Sequence, residues 1–227
     1  MSLQTILSVA ETVGINDHKF AGQMMSRNMR ISTSEILTSQ PFMFTMKPNN
    51  YLLYSQNKAV LSALRVADRI TEQYLNFGST GWVNYIAYGG QMTSAEIIAC
   101  QIQTTTTGKT IVLGNFPGTV TAGEYVVRAG DFIQIDRYAY IATADVLRGV
   151  AGTVDIPVHR SVLTTVSSPV GAVIGQYGTT TALGGSTYTG VTFCVVAKDY
   201  PTYNLVPITN DSFISWDGAF SAMEVIL

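Results

Sequence analysis

The sequence predicts a mainly β protein with one long amphipathic helix, built as a sandwich or small barrel. Three observations carry that expectation. Short runs rich in β-branched and aromatic residues recur along the chain, punctuated by Gly-rich turns. One segment, Asn57 to Phe77, repeats apolar residues at steps of three and four. Only 12% of the 227 residues are Asp, Glu, Lys or Arg, about half the ~25% of an ordinary soluble domain. The length suits one large domain or two small ones fused, and the chain reads as a single β domain over residues 1–227.

In order along the chain, the first 50 residues read as extended, and the first 30 are a candidate arm. Ser26-Arg27-Asn28 reads as a turn or strand edge. Phe42 to Met46 looks like a buried strand, opened by Pro41 and closed by Pro48 with Asn49-Asn50. The helix follows. Val60, Leu64, Ala67, Ile70, Tyr74 and Phe77 form its apolar stripe, and Arg65, Asp68, Arg69, Glu72, Gln73 and Asn76 its opposite, solvated face. Ser55 or Asn57 would cap it and Gly78 would stop it. Arg65–Asp68 and Arg69–Glu72 have the i,i+3 spacing of helix-surface pairs. Beyond Gly78 the pattern is all β. Gly89-Gly90 is a turn, Ile97 to Gln103 a strand, Thr104 to Lys109 a loop and Thr110 to Leu113 the return strand. Phe132 to Ile135 and Tyr138 to Thr143 flank Asp136-Arg137, a two-residue hairpin loop. Thr153 to Val158 is a further strand. Gly-rich turns fall at 171–178 and 184–190, and strands at about 189–197, 202–208 and 219–226 complete the chain.

Composition excludes several function classes. Hydrophobicity is too high for disorder, with mean hydropathy +0.23. A net charge of −2 opposes free nucleic acid or an anionic membrane as the main partner. No apolar run reaches the roughly 18 residues of a membrane span. Met1-Ser2-Leu3-Gln4 has no basic region leading into an apolar core, so no signal peptide is expected. Cys100 and Cys194 each sit in an apolar run and read as reduced, buried thiols. A chain this poor in charge has too little of it to clothe a monomer's surface, and burial against other subunits resolves that.

Candidate chemistry is sparse. Gly108-Lys109-Thr110 resembles the end of a phosphate loop, but Gln103 stands where the first glycine belongs and Ile111-Val112-Leu113 reads as strand. His18 and His159 have no partner at metal-ligand spacing. Asp131, Asp136, Asp145 and Asp155 fall on neighbouring hairpins and read as turn formers, without the oxygen-rich run of a calcium loop. Asn210-Asp211-Ser212 matches the glycosylation sequon, which a chain without a signal peptide would not use. Trp82, Tyr85, Tyr88, Tyr177, Tyr188 and Trp216 could form a sugar-binding surface or serve packing and interfaces. No catalytic, cofactor-binding or metal-ligating residue is expected.

Three segments carry a family resemblance. They are Ile31-Ser32-Thr33-Ser34-Glu35-Ile36-Leu37 with Gln40-Pro41-Phe42-Met43-Phe44-Thr45; Arg128-Ala129-Gly130-Asp131-Phe132-Ile133-Gln134-Ile135 with Tyr138-Ala139-Tyr140-Ile141-Ala142-Thr143-Ala144-Asp145-Val146; and Thr153-Val154-Asp155-Ile156-Pro157-Val158-His159-Arg160. Their order resembles virion structural proteins of tailed bacteriophages, notably tail-tip and baseplate proteins near the tail tube in T4-like myoviruses of cyanobacteria. The resemblance spans about residue 15 to the end. It implies a tail-tube-like β-sandwich or barrel with one lateral helix, and a ring of copies, commonly a hexamer, around an axial channel. The ring would join the tail tube to the baseplate hub, or start tube polymerisation as an initiator or distal-tail-like protein. Its partners would be itself, tail-tube and baseplate hub proteins, with phage DNA passing without specific binding. Its place would be the virion, assembled in the host cytoplasm, with no membrane, cofactor or catalytic residue. Gly130-Asp131 would be a turn between barrel strands, Tyr140 to Asp145 a core strand, and Val158-His159-Arg160 the end of its neighbour. The alternative reading is a carbohydrate-binding module that recognises a host receptor on the same particle. A third is a hydrolase with an unrecognised carboxylate pair.

Overall fold

The computed structural model describes residues 3–17, 21–25, 28–35, 41–67, 69–79, 84–181 and 187–226. Strand makes up 43% of the chain and helix 14%, so the protein is mainly β, and its strands form several antiparallel sheets. The chain divides into two compact units, Met1–Leu75 with Cys194–Leu227, and Asn76–Phe193.

The first unit holds a five-stranded sheet in the order Ala10–Asn16, Met43–Pro48, Phe220–Glu224, Thr192–Asp199, Gln73–Asn76. Met43–Pro48 shows why it pairs there. Phe44, Met46 and Pro48 are buried while Thr45 and Lys47 are exposed, the period of two that puts alternate side chains on opposite faces. Helix α1, Leu3–Ser8, buries Leu3, Ile6 and Leu7. Their i, i+3, i+4 spacing is a helical face, which corrects the expectation of extended chain here. A second sheet joins Tyr203–Ile208, Asp211–Trp216 and Leu52–Leu53. The Asp211–Trp216 strand lay outside the expected set. A separate two-stranded hairpin pairs Ala21–Met25 with Ile31–Glu35.

The long helix is the main correction. Helix α2 runs from Tyr54 to Ala67, only 14 residues. Residues 73–76 are a strand and 77–79 a short 3-10 turn. The expected stripe merged two periodicities. Val60 and Leu64 are buried on the helix, but Ile70 is 86% exposed, Leu75 is buried on the strand and Phe77 in the 3-10 turn, and Gln73 and Asn76, expected on the solvated face, are buried too. Gln73 and Leu75, two residues apart on the strand, share its buried face, where a helical spacing sets them on different sides. Gly78 therefore does not end the helix. Its start is also held differently. The Ser55 N–H donates to Asp211 Oδ1 at 3.2 Å and the Ser55 hydroxyl to Asp211 Oδ2 at 2.6 Å. Asn57 Nδ2 donates to Leu53 O. A carboxylate 156 residues away thus takes one of the free amides of the first turn. Arg69 meets Asp199 at 3.9 Å rather than Glu72. Asp68 lies outside the described residues, as do Ser26-Arg27 and the 36–40 part of the first resemblance segment.

The second unit is built on short strands around one apolar cluster that includes Ile97, Ile111, Leu113, Ile133, Tyr140 and Ile156. Each such buried aliphatic side chain contributes about 1.5–3 kcal/mol relative to exposure. One sheet runs Thr153–Pro157, Thr110–Gly114, Gln101–Ile102, Val170–Gly171. Another runs Tyr138–Ile141, Phe132–Ile135, Val173–Ile174. The Asp136-Arg137 loop is as expected: Ile135 pairs with Tyr138, and Asp136 takes the left-handed conformation at φ 54°. Helix α3, Ser94–Ala99, replaces the first part of the strand expected at 97–103. Thr93 caps it, accepting from Glu96 N–H, and the Glu96 carboxylate accepts from Thr93 N–H at 2.8 Å. This reciprocal box fixes a helical first turn before the strand Gln101–Ile102 begins.

Candidate functional site

The resemblance segments of the second unit converge on one hydrogen-bonded region, in which Asp131, Gln134 and Arg160 are buried. The 128–131 turn comes first. Gly130 sits at φ 98°, a conformation open to glycine, and lets Asp131 N–H donate back to Arg128 O at 3.0 Å. Asp131 is 97% buried, and its two oxygens are both used. Oδ1 accepts from Gly89 N–H at 2.7 Å and Oδ2 from Arg128 N–H at 2.8 Å. Asp145 Oδ1 accepts from Ala129 N–H at 2.9 Å. Two of the four aspartates thus meet on a single turn and hold its amides. Asp136 shapes the hairpin loop by its backbone, and Asp155 points outward from its strand.

Gln134 is buried in the next strand. Its Oε1 accepts from Thr192 N–H at 2.7 Å and its Nε2 donates to Asp136 O at 3.0 Å. The last segment closes the region. Val158 bridges Ala142, the His159 N–H donates to Ile141 O at 3.0 Å, and Ile141 N–H donates to His159 Nδ1 at 3.0 Å. The imidazole thus holds the end of the Tyr138–Ile141 strand through Nδ1. Arg160 is only 1% exposed. Its Nη2 donates to Ala139 O at 2.7 Å, and its guanidinium lies 5.3 Å from the Tyr140 ring centroid. The Tyr140 hydroxyl accepts from Leu163 N–H at 2.9 Å. The final residues of the segment thus stitch Tyr138–Ile141 to the chain that follows.

Neighbouring groups are equally committed to structure. Burial holds the Tyr88 phenol well above its usual range, so its hydroxyl stays protonated, donating to Val126 O at 2.6 Å and accepting from Met92 N–H. Burial, with the Glu96 charge adding, pushes the Cys100 thiol up to about 11, a poor nucleophile at neutral pH. Both cysteines are free and buried. Gly108 lies at φ 58° and Thr110 opens a strand, so the Gly108-Lys109-Thr110 resemblance to a phosphate loop ends there. Among the described residues no group of three or more His, Cys, Asp or Glu could hold a metal ion, and no helix is long and apolar enough to cross a membrane. His18 and Trp82 lie outside the described residues.

Of the remaining aromatic candidates, Tyr85, Tyr88, Tyr177 and Trp216 pack against other rings. Tyr85 sits 4.8 Å from Phe132 and 5.7 Å from Phe77, and Tyr88 meets Tyr177 edge-on at 6.1 Å. Trp216, in the first unit, is 7% exposed between Tyr203 and Phe220. Its indole N–H is buried and meets no acceptor among the described residues. Beside it runs a groove of about 660 Å³ between α2 and the 200–205 chain, lined by Leu64, Arg65, Tyr200, Thr202, Tyr203 and Trp216 among others. In the second unit a cavity of about 510 Å³ carries hydroxyls from Thr164, Thr165, Ser167, Ser168 and Thr179.

No protein-family model matches the chain, and no curated protein matches it.

Proposed function

We propose that this protein is a non-enzymatic structural subunit of a bacteriophage tail, forming a ring at the junction of tail tube and baseplate. One observation carries the reading. The polar residues that give the segments their resemblance, Asp131, Gln134, Asp145, His159 and Arg160, are all spent on holding backbone. A motif used in that way belongs to a scaffold. The surface supports the same reading. Val150 is 98% exposed, Met29 84% and Val66 83%, in a chain with only 12% charged residues. Large apolar side chains left open in such numbers suit a molecule that buries them on other subunits. The two-stranded hairpin Ala21–Met25 and Ile31–Glu35 points the same way, because a lone two-stranded ribbon has marginal stability in water. In this reading the sheets form a tail-tube-like core, and the copies close into a ring around a channel. Sedimentation of the purified protein and of disassembled tails tests it. A ring and a place in the virion are expected; a lasting monomer absent from tails contradicts it.

A receptor-reading glycan module is the second reading, favoured by the aromatic groove beside Trp216. Saturable binding on a glycan array that is lost in Trp216→Ala supports it. A flat array removes it.

A further inference from the structure

The groove beside Trp216 is lined by residues of the first unit alone, and its rings form a strip that ends on a cation. Tyr200 meets Phe220 edge-on at 5.7 Å, Phe220 meets Trp216 at 5.1 Å, and Trp216 meets Tyr203 at 5.3 Å. The Tyr203 hydroxyl then takes a hydrogen bond from Arg65 Nη2 at 3.1 Å. Leu61 and Leu64 of helix α2 add a buried aliphatic wall. A volume of about 660 Å³ is that of a small-molecule site.

The polar groups along this strip are donors that lack acceptors. Trp216 lines the groove at 7% exposure, and its buried indole N–H meets no acceptor among the described residues. Arg65 gives one bond to a phenol oxygen and meets no carboxylate among the described residues. The Tyr203 hydroxyl accepts that bond and donates none among the described residues. The Thr202 hydroxyl is already spent, donating to Asp217 Oδ2 at 3.0 Å. Asp217 itself lies outside the lining and also accepts from Asn204 Nδ2 at 3.1 Å. Among the described residues no Asp, Glu, Asn or Gln side chain lines the groove. A neutral sugar brings hydroxyl donors, which would find few side-chain acceptors there. A ligand with an apolar body and strong acceptors fits better. Buried donors are costly to leave unmade, and a guanidinium bonds a carboxylate through two parallel N–H groups.

We infer that this groove binds a small organic acid, a carboxylate on an aryl or alkyl body. The carboxylate sits at Arg65 and the Tyr203 hydroxyl, and the body lies along the rings towards Tyr200 and Phe220. The Trp216 N–H supplies a further donor to the acid's oxygens. The site is complete in one chain, so it stands apart from the ring reading. It competes with the glycan reading for the same groove.

Calorimetric titration of the purified full chain with phenylpropionate and with phenylpropionamide tests the inference, because the two probes differ only at the polar end. The acid is expected to bind at least about tenfold more tightly than the amide. Arg65→Gln, at an exposed position, is expected to reduce the acid to the affinity of the amide, with an unchanged circular-dichroism spectrum. Trp216→Phe keeps a ring and loses the N–H, and is expected to weaken the acid by roughly three- to tenfold. Because Trp216 is buried, a second readout in the otherwise native protein accompanies that variant. The Trp216 indole N–H resonance, told from that of Trp82 by Trp82→Phe, is expected to shift as phenylpropionate is added. Equal affinities for acid and amide overturn the inference. So does an Arg65→Gln protein that binds the acid as the wild type does, or a wild type that binds neither probe at millimolar concentration. Saturable binding of galactose with no response to the acid overturns it in favour of the glycan reading. Each of these outcomes leaves the ring reading standing.

Discussion

Arg160 is a cation folded into the core of its unit, where it donates to the Ala139 carbonyl and lies against the Tyr140 ring. Removing it leaves Ala139 O without its donor and opens a void, so Arg160→Ala is expected to lower unfolding free energy by about 2–4 kcal/mol in urea titrations. Arg160→Lys should recover only part, because an ammonium cannot lie flat on Tyr140 and reach the carbonyl together. Asp131 offers a graded test. Asp131→Ala frees both the Gly89 and Arg128 amides and is expected to cost about 2–4 kcal/mol. Asp131→Asn keeps one acceptor and should cost roughly half as much. Equal stability of all three proteins would show that the turn does not depend on that side chain. At Gly178, φ is 85° and an added Cβ would come within 2.4 Å of Ala172 O. Gly178→Ala is therefore expected to destabilise by more than the ~1 kcal/mol of an ordinary glycine change.

At the scale of elements, helices α2 and α3 each hold a carboxylate at the first turn. Glu96 is held below the usual carboxylate range by the Thr119 hydroxyl first, then by the Thr93 amide and hydroxyl. Asp211 is lowered by the Ser55 hydroxyl first, then by the Ser212 and Ser55 amides. A lowered pKa in the folded chain means that the unfolded chain takes up the proton first as pH falls. The stability these groups contribute is thus present above the ordinary carboxylate range and lost as pH drops through their lowered values. In melting curves taken against pH, the gap between wild type and Asp211→Asn is expected to close on acidification. A constant gap would mean that the cap does not act through its charge. Thr93→Ala is expected to cost about 1 kcal/mol. The spacing Thr93-Ser94-Ala95-Glu96 matches a capping box, a signal the strand expectation at Ile97 to Gln103 did not take in because it followed the apolar run behind it. The α2 cap was not visible, because Asp211 reaches Ser55 across 156 residues. Local pattern located the Ile135–Tyr138 hairpin and the Thr153–Pro157 strand, where the period of two is uninterrupted. It failed at Ile70 to Phe77, where a helix end and a strand start share one spacing. The roles of Gln134 and Arg160 were illegible for the same reason as Asp211: each bonds a backbone group brought near only by folding.

For the whole molecule, charge is the organising fact. Its 28 ionisable acids and bases, 15 negative and 13 positive, are few for 227 residues, and several are turned inward or spent on caps. Asp131 and Arg160 are buried, and Asp211 and Glu96 hold helix starts. What remains outside is rich in Thr, Ser, Gly and open apolar side chains, a surface suited to permanent contact with other copies. Association should therefore withstand salt better than a charge-driven contact. The ring is the central claim. Its most direct measurement is sedimentation velocity of the purified full chain across a wide concentration range. A single dominant species at a fixed multiple of 24.5 kDa, persisting on dilution, is the expected result. A species that stays at 24.5 kDa from the most dilute to the most concentrated sample would contradict it.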